Sequence, residues 1–78
     1  MPRYFLHVRD ADRLLRDPDG IHLHDVEAAR VEAIQSAREL MADSIVRDGH
    51  IGIERSIVVG DDMGATLLVV SFRDAIRL

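Results

Sequence analysis

The chain has 78 residues, no cysteine and a formal net charge of −4, with 47% hydrophobic and 31% charged residues. This composition is typical of a single small globular domain, residues 1–78. It excludes disulfide bridges and thiolate zinc sites, and it disfavours nucleic acid as a partner, because a phosphate-backbone binder needs a concentrated basic surface. The longest uninterrupted apolar stretch, residues 67–70, is too short to cross a bilayer, and no signal-peptide pattern begins the chain. We therefore expect a cytoplasmic protein.

The first quarter of the chain alternates between strand and turn patterns. Residues 3–9 are rich in aromatic and branched side chains and predict a strand. Residues 13–16 predict a second strand, and residues 21–24 a short alternating segment. Between them, residues 17–20 have proline at the second and glycine at the fourth position, as a type I turn prefers.

One long amphipathic helix is predicted from Asp25 to about Asp48. Asp25 is a good helix cap, Gly49 supplies a left-handed stop, and the segment between them contains no glycine or proline. At 100° per residue, one arc of about 160° collects the residues that should face the core. These are Val26, Ala29, Ala33, Ile34, Ala37, Leu40, Met41, Ser44 and Ile45.

Two further strands are predicted after the helix, at residues 53–59 and 65–72, and they form a hairpin around a glycine-containing loop. The order hairpin, helix, hairpin predicts an α+β fold, a four-stranded antiparallel sheet with one long helix packed on one face. Residues 73–78 fit either an extension of the last strand or a turn of helix.

The predicted strands carry more apolar residues than one sheet face can hold. When a helix covers one face, the other face is expected to be polar. Residues 57–59 and 67–70 are instead continuously apolar. Because an apolar patch on a small domain marks an interaction surface, we expect a homodimer, or docking of a protein partner, through the helix-free face. The predicted interface residues are Phe5, Val58, Leu68, Val70 and Phe72.

An alternative interpretation needs no partner. The C-terminal residues, with Ile76 and Leu78, would fold back over part of the helix-free face and cover it.

Two histidines have a spacing that suits a metal ion. His22 and His24 lie on the same side of a short strand, and His7 could join them from the first strand. A zinc site needs three or four ligands, and the spacing links only these two. We therefore expect polar surface residues and predict no metal.

Arg30 falls inside the apolar arc of the helix, where an unpaired charge is costly. The structural interpretation pairs it with a loop carboxylate from Asp10, Asp12, Asp17 or Asp25. The functional interpretation is an anion-binding group near the helix N-terminus.

No catalytic residue and no cofactor are predicted. The serines belong to no nucleophile-elbow motif, and the glycines form neither a P-loop nor a dinucleotide fingerprint.

Three segments of the chain form a recognisable pattern: the opening MPRYFLHVRD, the Asp-x-x-Gly before Ile21 and the helix start DVEAARVEAI. On these segments the chain resembles a family of short uncharacterised alphaproteobacterial proteins. Leu6 stands where that family often has a second phenylalanine. The resemblance implies a cytoplasmic protein, and it identifies no functional residue in this chain.

A looser resemblance is to HicB-type antitoxins, which place a strand pair, an Asp-rich turn and an Asp-x-x-Glu-Ala helix in the same order. The Pro-Gly-Cys segment that usually precedes that helix is missing here, and no DNA-binding tail follows.

Three functions follow from these patterns. The favoured one is a small non-enzymatic interaction module. The second is an antitoxin-like or regulatory protein that binds a nuclease or nucleic acid. The third is a small enzyme or ligand-binding protein with a dimer-interface pocket near Arg30 and the histidines.

Overall fold

The computed structural model describes residues 1–77 and confirms the predicted α+β class. It contains five strands, one more than predicted, and a short helix at the C-terminal end of the described residues. In chain order the elements are β1 (Arg3–Asp10), β2 (Arg13–Leu15), β3 (Ile21–His22), α1 (Val26–Asp48), β4 (Ser56–Gly60), β5 (Thr66–Ser71) and α2 (Phe72–Arg77). Within residues 1–77, neither helix has the length and apolarity that a bilayer crossing requires.

The sheet is antiparallel, and β1 lies in its interior. The strand order is β2-β1-β4-β5, and β3 pairs with β1 beyond the end of β2. The C-terminal hairpin β4–β5 forms as predicted, with a register irregularity after Val59 that leaves Leu67 as an extra residue. Strand β5 is therefore one edge of the sheet, and β2 with β3 forms the other.

The register divides the strand side chains between two faces, because alternate residues of a strand point to opposite sides. The covered face packs against α1 and holds the hydrophobic core. The opposite face carries no helix in residues 1–77, and we refer to it as the open face. The covered face comprises Tyr4, Leu6, Val8, Leu15, Ile57, Val59, Leu68 and Val70. The open face comprises Phe5, His7, Arg9, Leu14, Ser56, Val58, Val69 and Ser71.

Helix α1 begins and ends at the predicted caps. The Asp25 side chain accepts a hydrogen bond from the Ala28 N–H at 2.9 Å, and Gly49 adopts φ 82° and donates to the Ile45 carbonyl. The alanines at positions 29, 33 and 37 are fully buried, so the helix lies close to β4 and β5. The prediction is wrong for the first and last residues of the apolar arc along the chain, because Val26 and Ile45 are 43% and 46% exposed.

Residues 72–77 form α2 on the covered side of the sheet. The Phe72 ring is fully buried, and its N–H donates to the Arg55 carbonyl at 3.0 Å. The Arg38 guanidinium donates to the Ala75 carbonyl at 2.9 Å and holds α2 beside α1. The strand predicted to Phe72 therefore ends at Ser71. Folding of the tail over the open face is wrong for residues 72–77, and Leu78 lies outside the described residues.

Candidate functional site

The five predicted interface residues do not share a face. Phe5 and Val58 lie on the open face as expected. Leu68 and Val70 point to the covered face instead, and Phe72 is part of the core. The physical reason is the register of the β4–β5 hairpin. Val58 pairs with Val69, so Leu68 and Val70, on either side of Val69, point to the opposite face of the sheet.

Val69 is the exposed apolar residue of the open face that the sequence analysis missed. It is 53% exposed, whereas Val58 is only 3% exposed because it lies between its register partners His7 and Val69. Phe5 and Leu14 are half-buried on the same face. The exposed apolar surface of the open face therefore lies at β5 and not at the centre of the sheet.

The two edges of the sheet differ in how they are protected. Between β2 and β3, the Asp17 carboxylate accepts a hydrogen bond from the Leu6 N–H at 3.2 Å and occupies the place of a neighbouring strand. The outer side of β5 pairs with no strand in residues 1–77. Its sequence, residues 66–71, contains neither a charge nor a proline, the residues that usually block edge pairing.

Asp17 organises the loop that lies beside β1 in the gap between β2 and β3. Its carboxylate also accepts from the N–H groups of Asp19 and Gly20, both at 3.1 Å, and its own N–H donates to His7 Nδ1 at 3.0 Å. Burial raises the pKa of Asp17, but the hydrogen bonds from Gly20, Leu6 and Asp19 together outweigh burial and lower that pKa below 3.8. Because the folded state holds the ionised form, Asp17 stabilises the protein above pH 3.8, and this contribution is lost as the pH falls through the folded pKa.

Asp17→Asn is expected to lower the free energy of unfolding at pH 7 by about 1–3 kcal/mol. The two carboxylate oxygens accept from Leu6 on one side and from Asp19 and Gly20 on the other, and an amide has only one oxygen that can accept. The variant should also lose less stability than the wild type when the pH is lowered below 3.8. Urea unfolding at a series of pH values measures both effects. Asp19→Asn is the matched control, since the Asp19 carboxylate accepts no hydrogen bond within residues 1–77. Equal losses in the two variants would contradict the role of Asp17.

Arg30 is paired within its own helix. Its guanidinium donates to Glu27 at 2.9 Å, and the two side chains are 44% and 63% exposed. This hydrogen bond raises the pKa of Arg30 and lowers the pKa of Glu27. Pairing with a loop aspartate is therefore wrong, and the residue lies at the border of the core.

Arg55 is the arginine that links separate elements, and the sequence analysis did not single it out. Its guanidinium donates to Ser44 Oγ at 2.8 Å and to the carbonyls of Ile51 and Gly52 at 2.9 and 3.1 Å. It also lies over the Phe72 ring, 4.7 Å from the ring centroid. Three of these four partners are a helix hydroxyl and two loop carbonyls, for which no sequence pattern exists.

The three histidines considered as metal ligands do not lie together. His22 Nε2 accepts a hydrogen bond from Arg3 at 3.3 Å, His24 is exposed beyond the end of β3, and His7 Nδ1 accepts from the Asp17 N–H. In the part of the chain that the structure describes, no group of three potential ligands could hold a metal ion.

A groove of about 520 Å³ lies on the covered face, along the flank of α1 that faces β1. Its floor is apolar, and carboxylates project from α1 along one wall. The floor comprises Leu6, Val8, Ile21, Leu40 and Ile57, and the polar lining comprises Asp17, Glu32, Ser36, Glu39 and Asp43. We call this feature the acidic groove.

Comparison with known proteins identifies one family. The family described as "Domain of unknown function (DUF6894)" matches residues 3–73, which is most of the chain. No curated protein and no solved structure matches.

Proposed function

The chain belongs to this family of unknown function, and we propose that it is a small non-enzymatic interaction module that self-associates at the β5 border of its open face. The unprotected edge of β5 is the observation that carries the proposal. Six residues without charge or proline expose a row of backbone N–H and C=O groups there.

The contrast between the two edges favours a second copy of the chain as the occupant. The opposite edge consists of two short strands, β2 and β3, and the Asp17 carboxylate blocks the gap between them, as expected for an edge that must not pair. The β5 edge has no such device. Two antiparallel β5 strands related by a two-fold axis would satisfy each other's backbone groups, because every residue of the strand is compatible with a sheet.

The open face adds apolar contact next to this edge. Val69 is 53% exposed on β5, and the bulge residue Leu67 is 42% exposed beside it. Antiparallel pairing of two β5 strands would bring these apolar side chains close to apolar side chains of the second copy. A chain of this length buries a small core, so the additional buried area is a substantial gain in stability.

Val69→Asp is expected to convert the proposed dimer into a monomer, because it introduces one carboxylate from each copy into the apolar border where the strands pair. Sedimentation equilibrium from low to high micromolar concentration measures the mass, which for the dimer is twice the chain mass of 8.8 kDa. Val69→Thr removes apolar area with little change of shape and should weaken the dimer without abolishing it.

Val46→Asp is the matched control. Val46 is 87% exposed on the outer side of α1, so the same charge there should leave the mass unchanged. Circular dichroism checks that each variant is folded. A wild-type protein that stays monomeric at high micromolar concentration would contradict the proposal, as would equal dissociation by the two aspartates.

A further inference from the structure

We propose that the acidic groove binds a cationic amphipathic helix of a partner protein, which lies beside α1 with its apolar side on the sheet. The groove lies on the covered face next to the protected edge. It is therefore separate from the β5 border, and this inference does not depend on self-association.

The sheet leaves room for a second helix. Helix α1 packs on β4 and β5, and β1 and β2 come next in the strand order. Since neighbouring strands are about 4.8 Å apart, the position above β1 and β2 lies about 10 Å from the axis of α1. Packed helices have axes about 8–10 Å apart. A helix in the groove would therefore contact α1 and the sheet at the same time.

The floor of the groove presents apolar side chains to such a helix. Leu6 and Val8 are only half-buried, although they point to the covered face. Leu15 extends the floor as the register partner of Val8 and is 54% exposed, and Ile21 is 37% exposed at its other end. Aliphatic residues on one side of a docked helix would cover this surface.

The wall of the groove determines the charge of the partner. Glu32, Glu39 and Asp43 project from the same flank of α1, because they are seven and four residues apart along the helix. Within residues 1–77, Glu32 has no hydrogen bond or ion pair, and Glu39 accepts one long hydrogen bond from Gln35 at 3.4 Å. Asp43 is already paired with Arg47. Two carboxylates are thus available to cations, and they would repel a nucleic acid or an acidic segment.

A titration with synthetic peptides tests the inference on the intact chain. The probe is an amidated peptide of about 14 residues, about 20 Å as a helix, with leucines on one side and arginines on the other. One matched peptide has glutamate in place of each arginine, and a second has the same composition with the leucines distributed around the helix. Nitrogen-15 NMR spectra of the labelled protein report where and how tightly each peptide binds.

The expected result is saturable binding of the arginine peptide, with shifts at Leu6, Val8, Leu15 and Ile21, and no saturable binding of the two matched peptides. Glu32→Gln with Glu39→Gln should weaken binding about three- to tenfold at low salt, and Glu54→Gln, exposed outside the groove, should not change it. Leu15→Ser should weaken binding more than Val46→Ser. The Val69→Asp variant should bind the peptide as the wild type does.

Three results would overturn the inference. Absence of saturable shifts at millimolar peptide would exclude a helix of this class. Equal binding of the peptide with distributed leucines would indicate charge attraction alone. A dimer that persists in the Val69→Asp variant and dissociates in the Leu15→Ser variant, at unchanged circular dichroism, would indicate that a second copy of the chain occupies the groove.

Discussion

Replacing Phe72 with alanine is expected to lower the free energy of unfolding by about 3–5 kcal/mol, the usual cost of removing a fully buried phenyl ring. The ring is completely buried between the sheet and the two helices. A domain of this length has a total stability of about 4–12 kcal/mol, so the loss is a large part of the whole. Urea unfolding followed by circular dichroism measures the difference.

The control for this prediction removes the same atoms from a different environment. Phe5→Ala takes a phenyl ring from a half-buried position on the open face and should cost clearly less. Phe72→Leu should recover much of the stability, because leucine fills part of the cavity. If Phe5→Ala and Phe72→Ala were equally destabilising, Phe72 would not be the residue that holds α2 in the core.

Arg55→Met is expected to cost about 2–4 kcal/mol, because it removes the donors for Ser44 Oγ and two loop carbonyls while keeping a side chain of similar length. The contact with the Phe72 ring is lost as well. Arg55→Lys should fall between wild type and methionine, since an ammonium group cannot reach all three acceptors in the same geometry. Urea unfolding of the wild type, Arg55→Lys and Arg55→Met measures the order of their free energies of unfolding.

Arg30→Met is the matched control, because Arg30 forms an exposed pair with Glu27 on one helix. Exposed ion pairs contribute little to stability, so Arg30→Met should lower the free energy of unfolding much less than Arg55→Met does. A double-mutant cycle of Arg55→Met with Phe72→Leu should show a coupling between the two side chains. Additive effects in that cycle, or equal effects at the two arginines, would contradict the role assigned to Arg55.

The long helix could be predicted almost to the residue, because its signals are local. Asp25, Gly49 and the alanines at positions 29, 33 and 37 each act within a few residues along the chain. The strands of both hairpins were also predicted, since β4 and β5 are joined by a short loop. The order of the strands could not be predicted, because β1 pairs with a strand about fifty residues away.

The candidate surfaces were predicted less well, for two physical reasons. Apolar runs such as residues 67–70 do not show which residue faces which side until the register is known, and the bulge at Leu67 changes the count. The acidic groove depends on where α1 lies across the width of the sheet. Amphipathicity fixes which side of a helix faces the core but not its lateral position, so Glu32 and Glu39 appear in the sequence as ordinary surface residues.

The carboxylate of Asp17 also limits how large an assembly can become. A fibre that grows strand by strand requires two free borders on every subunit, one to accept the previous copy and one to offer to the next. At one of these borders Asp17 fills the gap between β2 and β3 through its bond to the Leu6 N–H, and the two strands beside it are only three and two residues long. If the chain self-associates at β5 as proposed, growth would consequently stop at a closed pair, and the apolar strand Thr66–Ser71 would be covered in that pair and would not template an amyloid fibre.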